Sequence, residues 1–140
     1  MPTITRFEEI RAWKAARTLT REVYQVSNKG AFARDYGLRD QLRRAAVSIM
    51  SNIAEGFESD TQQQFIKYLG YAKASAGEVR AQLYVALDVG YLTEDAFRSL
   101  FTQAETCSRQ LSRFITYLRQ HPDQRRLRES RAVYEVGEEG

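Results

Sequence analysis

The residues of this chain whose type and spacing could do chemistry are its arginines. Arg11, Lys14, Arg17 and Arg21 recur every three or four residues, the interval that puts side chains on one side of a helix. Arg39, Arg43 and Arg44 form a second group. Arg109, Arg113 and Arg119 lead into Arg125, Arg126, Arg128 and Arg131, where seven arginines oppose only Asp123 and Glu129. A guanidinium donates two parallel hydrogen bonds to a phosphate, so the chemistry implied is contact with an RNA or DNA backbone. The plainer reading is a solvated face, with Glu8, Glu9, Glu22, Asp35 and Asp40 near enough in sequence to neutralise part of it.

Other reactive side chains lack the company that catalysis needs. Ser48, Ser51 and Ser75 have no histidine or lysine spaced to activate them, and they read as sites of close helix packing. His121 is the single histidine. One histidine cannot supply the paired Glu-x-x-His motifs of a di-iron bundle. Seven residues separate it from Arg113 and one from Arg119, which does not fit the helical ribonuclease pattern of arginine and histidine four to six residues apart. It reads as a surface residue. Cys107 falls among apolar positions and reads as an inert buried thiol. Glu78 and Gln82, four residues apart, are expected to join a polar network with Arg43 or Arg44. Asn52 and Glu55 stand out because Glu55 falls in a last helical turn, where the dipole disfavours a carboxylate. It is expected to have a partner, an arginine or the N–H groups opening the next helix, so that the pair ties a turn. A ligand or inter-subunit role is the other reading. No phosphate loop, zinc spacing or acid pair is found, so the expectation is a protein that is not an enzyme and needs no cofactor or metal.

The bulk numbers agree. The chain has 140 residues, enough for one domain with its own core, and a net charge of +3 with a pI near 9.1 permits an anionic partner without requiring one. The opening residues already carry Arg6, Glu8 and Glu9, unlike a signal peptide. No apolar run approaches the roughly 18 residues of a membrane span. With one cysteine, the expected setting is cytoplasmic, without membrane contact.

Four helices must position these residues. The first is expected from Arg6 to Lys29, opened by a Thr5–Glu8 capping box and stopped at Gly30, with Ile10, Trp13, Ala16, Thr20, Val23 and Ser27 inward. The second runs from Tyr36 to Glu55, capped by Asp35 and stopped at Gly56, with Leu38, Leu42, Ala45, Ile49 and Ile53 inward. The third runs from Asp60 to Val89 behind a Ser59–Gln62 capping box. Its seam, Phe65, Leu69, Ala72, Ala76, Val79, Leu83 and Ala86, is an unbroken heptad pattern. The fourth runs from Glu94 to Gln120, capped by Thr93 and ended by Pro122, with Leu100, Ala104, Cys107, Leu111, Phe114 and Leu118 inward. Long helices and short turns imply an all-α, antiparallel up-down-up-down four-helix bundle over residues 1–122. Residues 123–140 are expected to form a basic, then acidic tail, partly disordered.

The third helix is unusual on its outer side. Gly70, Ala74, Gly77 and Ala81 form a stripe, with Tyr71, Tyr84 and Val85 beside it, where a monomeric bundle should show charge. Each interior glycine costs about 1 kcal/mol relative to alanine. The functional reading is close approach by a second copy of the chain, anchored by Tyr71 and Tyr84. The alternative is that the C-terminal tail covers this side.

Three segments in order resemble one family. YGLRDQLRRAAVSIMSNIAEGF, Tyr36 to Phe57, is similar to the signature of the 23S rRNA intervening sequence proteins. FEEIRAWKAAR, with Trp13 in place, resembles that family's opening helix, and FIKYLGYAKASAGEVRAQLYVALDVGYL its third. On this resemblance Trp13, Asn52, Glu55 and Gly56 are signature positions. The family commonly has proline where this chain has Met50, so a proline kink does not carry over, and the segment beyond Pro122 is longer than the family core. The resemblance implies a four-helix bundle assembled as a homo-oligomer, typically a pentamer, of unsettled role. A similar bundle is the accessory protein of diversity-generating retroelements, where a basic pentamer binds reverse transcriptase and nucleic acid. Two functions follow as expectations: a homo-oligomer that binds RNA or DNA through arginines, or a protein-interaction scaffold serving a nucleic-acid enzyme such as a reverse transcriptase.

Overall fold

The computed structural model describes residues 5–121, and among these every regular element is helical. A 3-10 turn, Phe7–Glu9, precedes five α-helices: α1 Arg11–Val26, α2 Gly30–Arg34, α3 Tyr36–Glu58, α4 Gln62–Asp88 and α5 Glu94–Arg119. The four long helices surround one apolar core. α1 lies against α3 and α5, and α4 lies against the same two from the other side.

The heptad seams explain the core. All seven seam residues of α4 and all six of α5 are buried. Ala72 and Ala76 keep the middle of the α4 seam thin. Phe65 fills one end, edge-on to Phe57 of α3 (6.2 Å) and Phe114 of α5 (5.5 Å). The α3 positions Leu42, Ala45, Ile49 and Ile53 are buried as expected, while Leu38 is only half-buried. On α1, Ala12 and Leu19 join the core and Trp13 stays at its edge.

Several helix ends differ from the sequence expectation, each for a local reason. The chain turns at Ile10 (φ −74°, ψ 128°) instead of continuing a helix from Arg6. This buries Ile10 and lets Phe7 meet Trp13 edge-on at 5.3 Å. Glu9, not Glu8, accepts the Thr5 N–H (2.9 Å). α1 ends at Val26. Gly30, in the left-handed region at φ +53°, opens a short α2 additional to the four expected helices, and α2 carries Phe32 into the core.

Gly56 is not a stop. α3 continues to Glu58, and a Cβ at Gly56 would stand 2.8 Å from both Phe65 Cδ1 and Tyr68 Cβ, so glycine is there for close helix approach. Ser59 closes α3, its hydroxyl donating to the Gly56 carbonyl (2.6 Å). The cap of α4 is therefore Thr61, which accepts from Gln64 N–H (3.1 Å). Gln62 turns inward and donates Nε2 to the Leu118 and His121 carbonyls (2.8 Å each) at the end of α5, where no further helical turn follows. Asp35 and Thr93 cap α3 and α5 as expected.

Candidate nucleic-acid interface

The structure distributes the candidate arginines over three grooves. Arg21 and Arg43 meet in the groove between α1 and α3, an open space of about 430 Å³ that Tyr24, Gln25 and Asn28 also line. Arg43 is held on several sides. Its Nε donates to Ser27 Oγ (2.8 Å), its guanidinium carbon lies 4.5 Å over the Tyr24 ring, and a terminal nitrogen reaches the Tyr24 carbonyl (3.5 Å). Ser27 is fully buried, so it is a fixed acceptor. Two more arginines lie on rings nearby in sequence: Arg17 at 5.7 Å from Trp13 and Arg39 at 4.7 Å from Tyr36.

Arg44 points the other way, into a groove of about 350 Å³ between α3 and α4 with Gln41, Glu78 and Gln82. Of the two arginines expected to join Glu78 and Gln82, Arg44 shares their groove, whereas Arg43 is drawn to Ser27 and Tyr24. Gln82 instead donates to Gln41 Oε1 (3.4 Å). Arg109 lines a third groove, between α4 and α5, with Lys73, Arg80 and Glu105. Lys14, Arg113 and Arg119 are exposed and Arg11 is half-buried. Arg125 and Arg126 lie outside the described residues, as does the tail.

The carboxylates expected to neutralise these arginines are mostly engaged elsewhere. Asp40 does pair with Arg39 (2.9 Å). Glu22, one residue from Arg21, accepts from Gln103 of α5 (2.7 Å). Glu8 pairs with Arg6 (3.7 Å). Asp35 accepts from Leu38 N–H (3.2 Å) and from Tyr91 hydroxyl (2.9 Å), and that bond, with burial and the Asp35 charge, holds the Tyr91 phenol above its ordinary pKa. Among the described residues, no carboxylate lies within 4 Å of the cationic nitrogens of Arg17, Arg21, Arg43 or Arg44.

The outer side of α4 has the composition the sequence suggested. Tyr71 (47% exposed), Tyr84 (51%) and Val85 are open, as are Ala74 and Ala81. A Cβ added at Gly70 would meet nothing within 4 Å, and one at Gly77 only the end of Arg80 at 3.6 Å, so the fold of a single chain does not require either glycine. Tyr84 adjoins Phe97 and Phe101 of α5 at 5.1 and 5.3 Å, which extends the aromatic face beyond the residues the sequence singled out.

Of the polar signature residues, Asn52 serves packing and Glu55 does not. Asn52 donates to the Ser48 carbonyl (2.8 Å) and hydroxyl (3.0 Å), and Ser75 of α4 donates to Ser48 Oγ (2.9 Å). This ties α3 to α4 mid-helix, not at their turn. Glu55 is exposed, with no ion-pair partner among the described residues, so its expected tie is not made. His121 is exposed, stacked on Tyr117 at 4.2 Å, and Cys107 is fully buried, its thiol 3.6 Å from the Ala12 carbonyl. No cluster of three or more histidine, cysteine or acidic side chains that could hold a metal occurs among the described residues, and no described helix is long and apolar enough to cross a membrane.

The model of the 23S rRNA-intervening sequence proteins matches residues 8–113. The chain belongs to that family. Its fold is similar to a solved structure from Bacteroides thetaiotaomicron, a protein of unknown function from the S23 ribosomal protein family. The TM-score is 0.69 at 19% identity, covering 74% of this chain and 97% of that one. Among curated proteins none matches. Tyr24 and Asn28, which charge does not reveal, and Lys73 and Arg80, cations outside the candidate groups, also line these grooves. Tyr24 was legible as the position three after Arg21, on the same helical side.

Proposed function

We propose that this protein is a non-enzymatic, cytoplasmic homo-oligomer of up-down-up-down bundles that binds RNA or DNA through arginine–phosphate contacts. Contact register supports the arrangement of helices. Thr20 and Ser27 meet Ala46 and Arg43, Ser48 and Gly56 meet Ser75 and Phe65, and Ala12 and Glu22 meet Cys107 and Gln103; in each pair one number rises as the other falls. The open glycines and exposed tyrosines of α4 support assembly. A second subunit would bury them and offset the roughly 1 kcal/mol that each helical glycine costs. The family resemblance favours a pentamer, which would repeat every basic groove around a ring and strengthen binding without new contacts.

The observation that carries the nucleic-acid reading is the freedom of Arg17, Arg21, Arg43 and Arg44 from carboxylates within ion-pair distance among the described residues. Phosphate is the ligand such guanidinium groups fit. Fluorescence anisotropy at low salt should show binding to labelled RNA and DNA. The logarithm of affinity should fall linearly with that of salt, by about 0.7 to 0.9 per phosphate contacted. Absence of binding to strands and duplexes alike would reject the reading. Light scattering after gel filtration should give a multiple of the 16.2 kDa chain, and Ala74→Glu should reduce it to one chain with helicity intact. A single-chain mass for the unaltered protein defeats the ring.

The aromatic face of Tyr84, Phe97 and Phe101 also favours a second reading, a scaffold on which another protein, such as a nucleic-acid enzyme, docks. Affinity capture that survives nuclease treatment is its test.

A further inference from the structure

We infer that the groove between α1 and α3 binds single-stranded nucleic acid in preference to duplex, with Arg21 and Arg43 on phosphate and Tyr24 under a base. This rests on the nucleic-acid reading above and narrows it. A plain basic face serves any polyanion, because phosphates are presented by strands and duplexes alike. This groove differs in joining its arginines to an aromatic ring that the fold leaves open. Tyr24 is 44% exposed, and its hydroxyl makes no hydrogen bond among the described residues. One side of its ring is occupied by Arg43 at 4.5 Å. Duplex bases are stacked on each other and offer such a ring nothing, whereas bases of a single strand have free π faces that stack on exposed aromatics and on arginine planes.

Arg43 is fitted to the task before any ligand arrives. Its Nε is committed to the buried Ser27 hydroxyl, its plane to the Tyr24 ring and one Nη2 hydrogen to the Tyr24 carbonyl, which leaves Nη1 and the other Nη2 hydrogen for a ligand in the groove it lines with Arg21, Gln25 and Asn28. A guanidinium already fixed loses little freedom on meeting phosphate.

The motif also repeats along a track. Arg17 with Trp13 precedes Tyr24 by about two turns on α1, and Arg39 with Tyr36 precedes Arg43 by one to two turns on α3. Tyr36 is 63% exposed. Seven residues of helix span about 10 Å, the rise from Arg17 to Tyr24 on α1 and from Tyr36 to Arg43 on α3. Alternating cation and ring suits a strand of successive phosphates and bases. The track lies on α1, diagonal to α4, and on the side of α3 turned to α1, so self-assembly through the outer side of α4 would leave it open.

The test compares a labelled mixed-sequence 20-nucleotide strand with the same sequence as a duplex, using full-length protein, Tyr24→Ala and Tyr24→Phe. The unaltered protein should bind the strand more tightly. Tyr24→Ala should weaken strand binding roughly tenfold or more, the scale of one lost base stack, and duplex binding by a clearly smaller factor, since the phosphate contacts remain while Arg43 loses the ring it lies on. Tyr24→Phe should keep the preference, since it keeps the ring. Photocrosslinking the strand to the unaltered protein should put an adduct on Tyr24, a readout independent of how any variant folds. Equal affinity for strand and duplex, equal weakening of both by Tyr24→Ala, or adducts that avoid α1 and α3 would overturn this site and leave the general basic reading standing. Failure to bind either ligand at low salt would overturn both.

Discussion

Replacing Gly56 by alanine sets two effects of opposite sign against each other. Alanine is the better helix former by about 1 kcal/mol, and Gly56 lies within α3, so propensity alone predicts stabilisation. Packing predicts the reverse. The new methyl would lie 2.8 Å from Phe65 Cδ1, 2.8 Å from Tyr68 Cβ and 3.3 Å from the Phe65 carbonyl, where carbon pairs prefer about 3.5 to 4.0 Å. Phe65 is braced between Phe57 and Phe114, and Tyr68 Cβ is tied to the α4 backbone, so neither can yield by rotating a flexible end. Overpacking of this kind costs typically 1 to 3 kcal/mol, and two rigid contacts place it in the upper half. The net expectation is destabilisation by about 1 to 2 kcal/mol. Urea unfolding followed by circular dichroism, at one fixed protein concentration because assembly contributes by mass action, measures it. A variant as stable as the parent, or more so, would refute the close-approach account of Gly56.

Thr61→Ala and Thr93→Ala should each lower stability by about 1 kcal/mol, seen as a fall of a few degrees in thermal unfolding, because each hydroxyl satisfies an N–H of the first turn. Tyr91 should titrate above the other tyrosines in an ultraviolet pH titration, and Tyr91→Phe should remove that late step. Its pKa is raised in the fold, so its contribution to stability is complete below the unfolded value near 10 and declines as pH rises beyond it. A Tyr91 that ionises with the rest would contradict the bond to Asp35.

Periodicity made the seams of α4 and α5 legible residue by residue, since a repeat of four and three is a global property of a long helix. Ends were read less well because they turn on single contacts. Ser59 and Thr61 are both good N-caps, and only the inward turn of Gln62 onto α5 decides between them. Gly30 and Gly56 looked alike as stops, yet one supplies a left-handed backbone and the other makes room for a neighbouring ring. The short α2 has too few residues to show a period, and Phe32 was its only signal. At the candidate site, charge revealed the arginines but not their grouping. Arg43 and Arg44 are adjacent in sequence and open into different grooves, which depends on how α3 is rotated between α1 and α4.

Cys107 is the one thiol of the chain and sits midway along α5 with no exposed surface. A thiol reagent can reach it only when the helices part, so its modification rate is a clock for opening of the bundle. The protein thus carries its own gauge of local breathing, needing no added dye or label. A ligand held between α1 and α3 would register there as a slowing of that clock, although it never touches the sulfur.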